Sequence, residues 1–261
     1  MKLFDSHAHL CDNKFDEDRD LVISNLASFG VTNCIECGYN LDSSINSIEL
    51  SNKYDFIYSV IGISPNDIPQ DIDKLWKDVK EISNLYKRNS KKIVAIGEIG
   101  LDYYWNKENK DIQKELFIKQ IEIANNLELP IVIHSRDAWV DTIDILKENV
   151  VIKKGVFHCC ALNMELVKNA LDIGFYISFA GPITFKNSKN AEEIVKSVPI
   201  NRILIETDSP YLSPEPNRGK RNDPRNVKFV AEKIAEFKNI SIEEVARVTR
   251  ENIERIFEIK K

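Results

Sequence analysis

"FDSHAHL", residues 4–10, is a short apolar stretch that closes on two histidines one residue apart. In an extended strand, positions i and i+2 point to the same face, so His7 and His9 would share one. The chain has only four histidines in all. The fold depends on what this stretch belongs to. It opens a series of eight short apolar runs, at residues 2–5, 31–36, 57–63, 93–98, 130–134, 156–159, 176–180 and 203–207. Val, Ile, Phe and Tyr dominate them, the residues that pleated strands favour.

Between the runs lie helical patterns. Ile72, Leu75, Trp76, Val79, Ile82 and Leu85 recur at intervals of three and four, as do Ile112, Leu116, Ile121 and Ala124. Gly30, Gly155 and Gly174 each stand at an expected helix end just before a run, the glycine stop typical of a helix-to-strand turn. Ser241 and Glu244 have capping-box spacing and open a last helix carrying Val245, Val248, Ile253 and Phe257. Eight strands alternating with helices, without a linker or a break in composition, predict one (β/α)8 TIM barrel spanning residues 1–261. An open doubly wound sheet is the competitor. It is weakened by the strand count and by the lack of G-x-G-x-x-G after the first run.

The size agrees, since 261 residues is close to the roughly 250 of a single barrel of this type. Hydrophobic residues make up 43%, enough for a large core and against disorder. No apolar stretch reaches the ~18–20 residues of a membrane helix, and the N-terminus lacks the basic flank and apolar run of a secretory signal. A soluble, cytoplasmic protein is expected, and with no interface signature, a monomer. Of the five cysteines, Cys34 and Cys37 form a C-x-x-C. The pair lies within a strand and has no second pair to complete a zinc site, so both read as buried apolar residues. The 36 basic and 41 acidic residues leave a net charge of −5. A polyanionic substrate must therefore be drawn by something local, a basic loop or bound cations.

In a barrel, chemistry gathers at the C-terminal ends of the strands. His7 and His9 fall at the end of the first strand, Glu98 at the end of the fourth, His134 of the fifth, His158 of the sixth and Asp208 of the eighth. Glu206 turns inward beneath Asp208, and Asp5, on the face of His7, is placed to accept an imidazole N–H. A lone strand histidine is usually a satisfied core or surface residue. Four out of four at strand ends, with carboxylates at others, point to metal binding. Imidazole with carboxylate suits Zn, Mn, Fe, Co or Ni better than Mg. Six ligands exceed the needs of one ion, so two are expected, bridged by Glu98 or a hydroxide. Such a pair activates water and clamps both oxygens of a displaced bond, and the chemistry expected is hydrolysis.

The motifs "DSHAHL", "GEIGLDYY", "IHSRDA", "LIETDSPYLSP" and "NRGKRNDPRNV" resemble, in order and spacing, the TatD-type metal-dependent hydrolases. That family is similar to the amidohydrolase-like barrels and is associated with deoxyribonuclease activity. The likeness runs from Phe4 to the last helix. It implies that His7, His9, Glu98 and Asp208 hold one divalent ion (Mg, Mn or Zn), and that Glu98, His134 and His158 hold a second. It also implies that Asp208 takes a proton from the attacking water and that Arg136 meets a phosphate oxygen. The substrate implied is DNA, as single strands or frayed ends, digested exonucleolytically. Two segments depart from the family pattern. "GISPND" carries Ser64 and Asn66 where histidines are common, and "HCCAL" keeps His158 but changes Cys160, Ala161 and Leu162. Both departures bear on the substrate more than on the reaction class.

Other candidates for substrate contact follow from position. Arg218, Lys220, Arg221 and Arg225 crowd the loop after the eighth strand, where they would meet phosphates without reading sequence. Among Asp102, Tyr103, Tyr104 and Trp105, the aromatics Tyr103 and Trp105 are candidates for base stacking if they are exposed. A rival reading keeps the ions but changes the bond, to an amide or ester in a small-molecule or aminoacyl substrate. A third is a binding scaffold that retains its metals for stability.

Overall fold

The computed structural model describes residues 1–89 and 91–259. The eight runs form eight strands: β1 (Leu3–Ala8), β2 (Val31–Cys37), β3 (Ile57–Ile61), β4 (Ile93–Asp102), β5 (Ile131–Arg136), β6 (Gly155–Phe157), β7 (Tyr176–Phe179) and β8 (Ile203–Ile205). Each pairs in parallel with the next. The ring closes through a parallel bridge between Ala8 and Ser209. There the Asp208 N–H donates to His7 O at 2.9 Å, and the His9 N–H to Ser209 O at 2.7 Å. Around the ring run α1 (Arg19–Asn25), α2 (Leu41–Lys53), α3 (Ile72–Asn89), α4 (Lys110–Asn126), α5 (Trp139–Glu148), α6 (Met164–Asp172), α7 (Ala191–Ser197), α8 (Val227–Lys238) and α9 (Ile242–Ile256). The molecule is a (β/α)8 barrel.

Alternation along the strands divides the core in two. Ile57, Ile131, Ile133, Ile177 and Ile203 face outward and pack against the helices. Phe4, Ile35, Val60, Val132, Val156, Tyr176 and Leu204 fill the barrel, in one cluster with Ile253, Ile256 and Phe257 from the end of α9. α9 covers the N-terminal end of the barrel. Its Asn252 amide donates to Ile200 O and Ile203 O at 2.9 and 2.8 Å, and its Arg250 reaches Leu3 O at 3.2 Å. Cys34 belongs to the outer layer and Cys37 to the barrel interior. Three residues apart on a strand, they necessarily point in opposite directions.

Several details differ from expectation. β4 runs on to Asp102, so Glu98 lies within the strand and not at its end. Ile96 pairs with Ile131 and Ile99 with Ile133, so three steps on β4 match two on β5. Ile96 and Ile99 both face the helices, which regular alternation would forbid. The bulge between them turns Glu98 to the barrel mouth. Likewise β5 passes His134 and ends at Arg136. Gly155 is not a helix stop but the first residue of β6. A Cβ there would lie 2.0 Å from Ile131 O, so the strands can meet only over a glycine. Ser241 accepts from the Glu244 N–H at 3.2 Å, while the Glu244 carboxylate pairs with Arg247. Among the described residues, no helix is long and apolar enough to cross a membrane.

Candidate metal centre

Strand geometry delivers six side chains to the C-terminal mouth. His7 Nε2 and His9 Nε2 stand 3.2 Å apart. Each faces two carboxylates: Glu98 Oε2 at 3.5 and 3.6 Å, and Asp208 Oδ1 at 3.7 and 3.3 Å. The second oxygen of Glu98 looks the other way. Oε1 lies 2.9 Å from His134 Nδ1 and 3.4 Å from His158 Nε2, and those two nitrogens are 3.2 Å apart. The bulge in β4 thus sets one carboxylate between two groups of nitrogens.

The outer partners of the histidines show what belongs between them. His9 Nδ1 is 2.8 Å from Cys37 O, and a carbonyl only accepts, so this nitrogen carries a proton. His134 Nε2 is 2.9 Å from Asp102 Oδ2 and donates to it. The inner nitrogens of both rings face carboxylate oxygens, where either a proton or a metal ion can lie between nitrogen and oxygen. In a buried site such groups hold together only around a cation, a proton or a metal ion. Burial disfavours charge on His9, yet Asp208, Glu98 and Glu36 together lift its pKa to about 9. Burial also opposes ionisation of Glu98, but His158, His134 and His7 hold its carboxyl well below the usual range. In Asp208 the hydrogen bond from His9 and the neighbouring imidazoles likewise overcome burial. His7, His9 and Asp208 make one group able to take a metal ion, and His7, Glu98 and His158 another. The donor set fits divalent metals, with His134 completing the second group.

The supporting residues are less regular. Asp5 does not touch the His7 ring as expected. It accepts from the His7 and Thr207 N–H groups at 3.3 and 2.9 Å and from the Thr207 hydroxyl at 2.5 Å, tying β1 to the segment after β8. His7 Nδ1 instead faces Cys37 Sγ at 3.3 Å. Glu206 is fully buried and accepts from the Cys159 N–H at 2.5 Å; its Oε1 lies 3.5 Å from His158 Nδ1. Glu36, buried on β2, accepts from the Leu10 and Cys11 N–H groups and fixes the turn after His9. Sequence reasoning missed both Glu36 and the hydrogen bond that His134 donates to Asp102. Stepping by twos from Glu98 through Gly100 leads to Asp102, and this period was the available signal.

A cavity of about 740 Å³ opens over the site. Ser64, Asn66 and Arg136 line it. Asn66 is held by Asp102 and Asn106, each at 3.1 Å. Tyr103 must be corrected as a substrate contact: it is buried, and its hydroxyl donates to Asp141 at 2.6 Å. Trp105 lines the cavity in its place. The basic loop also departs from expectation, since Arg218, Lys220 and Arg221 do not line the cavity. Arg221 forks onto both oxygens of Asp18 at 2.8 and 2.6 Å, and Arg225 onto Asp223. Arg218 lies over the Phe185 ring at 4.2 Å. The loop is pinned by Asn222, whose amide donates to Thr207 O and Tyr211 O, and this directs its cations to the flank.

Comparison with known proteins agrees with this geometry. The model of the family described as TatD related DNase matches residues 4–258. The chain is 45% identical over 258 residues to the uncharacterized metal-dependent hydrolase YabD of Bacillus subtilis (strain 168), covering 98% of this chain and 99% of that one. It is 39% identical over 266 residues to the uncharacterized metal-dependent hydrolase YcfH of Escherichia coli (strain K12), covering 99% and 97%. In fold it matches YJJV, a TatD homologue of Escherichia coli k12, with a TM-score of 0.92 at 22% identity over 99% of this chain and 98% of that one. From the family model along nearly its whole length, and from relatives at these identities, the chain belongs to the TatD related DNase family of metal-dependent hydrolases.

Proposed function

We propose that this enzyme hydrolyses phosphodiester bonds of DNA, working from single-stranded or frayed ends, as a cytoplasmic monomer formed by one barrel domain. One observation carries the reading: Glu98 offers its two oxygens to two separate groups of imidazoles beneath an open cavity. His7, His9, Glu98 and Asp208 would hold one divalent ion, and Glu98, His134 and His158 a second, with Mg, Mn or Zn as candidates. When bound, such ions activate water and neutralise charge on the oxygens of the displaced bond. The chain's own groups do the rest. Asp208 is ionised, with Oδ1 turned to the histidines, and its other oxygen takes the proton of the attacking water. Arg136, on the cavity wall, offers a planar fork to a phosphate oxygen. Cys37 O and Asp102 keep His9 and His134 in orientation.

A second reading, hydrolysis of an amide or ester in a small-molecule or aminoacyl substrate, is favoured by one feature of the wall. Arg136 is the only Lys or Arg among the residues lining the cavity, which also include Ser64 and Asn66. The test is cleavage of single-stranded DNA by metal-free protein with Mg, Mn or Zn restored, beside His134→Ala. Metal-restored cleavage that the variant lacks supports the phosphodiesterase. Faster turnover of an amide and ester panel than of DNA overturns it in favour of the second reading.

A further inference from the structure

Trp105 leaves 66% of its surface exposed, yet its backbone is firmly held. The Tyr104 and Trp105 N–H groups donate to Asp102 Oδ1 at 2.9 and 2.8 Å, while Asp102 Oδ2 binds His134 Nε2 at 2.9 Å. Asp102 is fully buried. One carboxylate therefore ties the backbone that carries an exposed indole to an imidazole of the metal centre. The Tyr104 ring meets the indole edge-on, with centroids 4.8 Å apart and planes at 89°. The Arg136 guanidinium lies 3.9 Å from the Tyr104 centroid and 5.5 Å from that of Trp105. Arg136 follows His134 by two positions on β5, on the same face and about 6.6 Å farther along the strand.

We propose that Trp105 stacks on an unpaired nucleobase of the substrate while Arg136 takes the adjoining phosphate, so that the two form a subsite for one nucleotide beside the scissile bond. The proposal rests on the phosphodiesterase reading. A held π-face next to a fixed cation matches an aromatic ring with a phosphate one backbone step away. Bases within a duplex have both faces covered, so the subsite selects single strands and frayed ends. Leu162, Ile183 and Leu212 also line the cavity, and among its described lining residues Arg136 is the only Lys or Arg.

The experiment compares wild type, Trp105→Ala and Trp105→Phe on a single-stranded oligonucleotide and on the same oligonucleotide with a reduced abasic residue on either side of the scissile bond. Trp105→Ala is expected to lower kcat/KM on the intact strand by roughly 5- to 150-fold, mainly through KM, with Trp105→Phe recovering most of it. One abasic substrate should cost the wild type as much and leave Trp105→Ala no further loss. Equal losses for Trp105→Ala on intact and abasic strands overturn the subsite. If the wild type cleaves no DNA, titration with oligothymidylate followed by indole fluorescence decides. Quenching that Trp105→Phe abolishes keeps the subsite and rejects the phosphodiesterase, whereas no quenching rejects the subsite. DNA cleavage indifferent to Trp105→Ala keeps the phosphodiesterase alone.

Discussion

A carboxylate buried among imidazoles stays ionised only where charge is returned to it, and Glu98 and Asp208 both meet that condition. Both oxygens of Glu98 face imidazoles, whereas Asp208 is the proposed base, so its loss should strike proton transfer first. Asp208→Asn, assayed at saturating metal, is expected to lower kcat by about 10²- to 10⁴-fold with the thermal midpoint retained. Full activity in that variant would remove Asp208 as the base. Asp102 tests orientation instead. One of its oxygens accepts from two backbone N–H groups, the other from His134 and Asn66. Whichever way the amide of Asp102→Asn turns, an NH₂ must face donors. Metal titration should show roughly 10- to 100-fold weaker binding at one of the two ions, and unchanged affinity for both would show that Asp102 does not orient His134.

At the scale of the element, the meeting of β4 and β5 decides where Glu98 and His134 stand. Gly100 has a φ of +140°, and a Cβ there would lie 2.0 Å from His134 O, so the strands can approach only over this glycine. Gly100→Ala should cost about 1–3 kcal/mol, a fall in Tm of roughly 2–12 °C, and should weaken metal binding with it. A thermal scan with unchanged Tm would show that the strands yield. The strands themselves were legible because β-branched runs and the glycines before β2 and β7 are local signals. Gly30 and Gly174 do adopt positive φ. The bulge was not legible, since nothing local in the sequence marks where the ladder with β5 slips between Ile96 and Ile99, and β4 continues past Glu98 to Asp102. The histidines could be placed at the mouth because each stands within two residues of the C-terminal end of its strand. The loop cations could not be placed: Arg221 finds Asp18 across 203 residues, and no local pattern reveals a partner so distant. Tyr103 and Trp105 looked equivalent in sequence, and only packing separates the buried ring from the exposed one.

Across the whole molecule, stability and chemistry sit at opposite ends of the barrel, as the fold generally arranges them. The N-terminal end is sealed by α9, with Phe4 packed against its last turn and the Asn252 amide satisfying two carbonyls. At the C-terminal end, imidazole nitrogens and carboxylate oxygens converge in two groups able to take a metal ion. Metal should therefore stabilise the protein strongly: at about 100 times its Kd an ion adds roughly 2.7 kcal/mol, or a rise in Tm of about 5–11 °C for a chain of this size. In His134→Ala that rise should shrink, since one group has lost a ligand. Asn252→Ala provides the contrast. It leaves two buried carbonyls short of a donor, at a cost of about 1–3 kcal/mol, but touches nothing at the mouth. Its Tm should fall equally with and without metal, and the metal-induced rise should match that of the wild type. If the rise disappears in Asn252→Ala while surviving in His134→Ala, the ends are not independent, and the site owes its geometry to the α9 seal and not to the strand ends that carry the ligands.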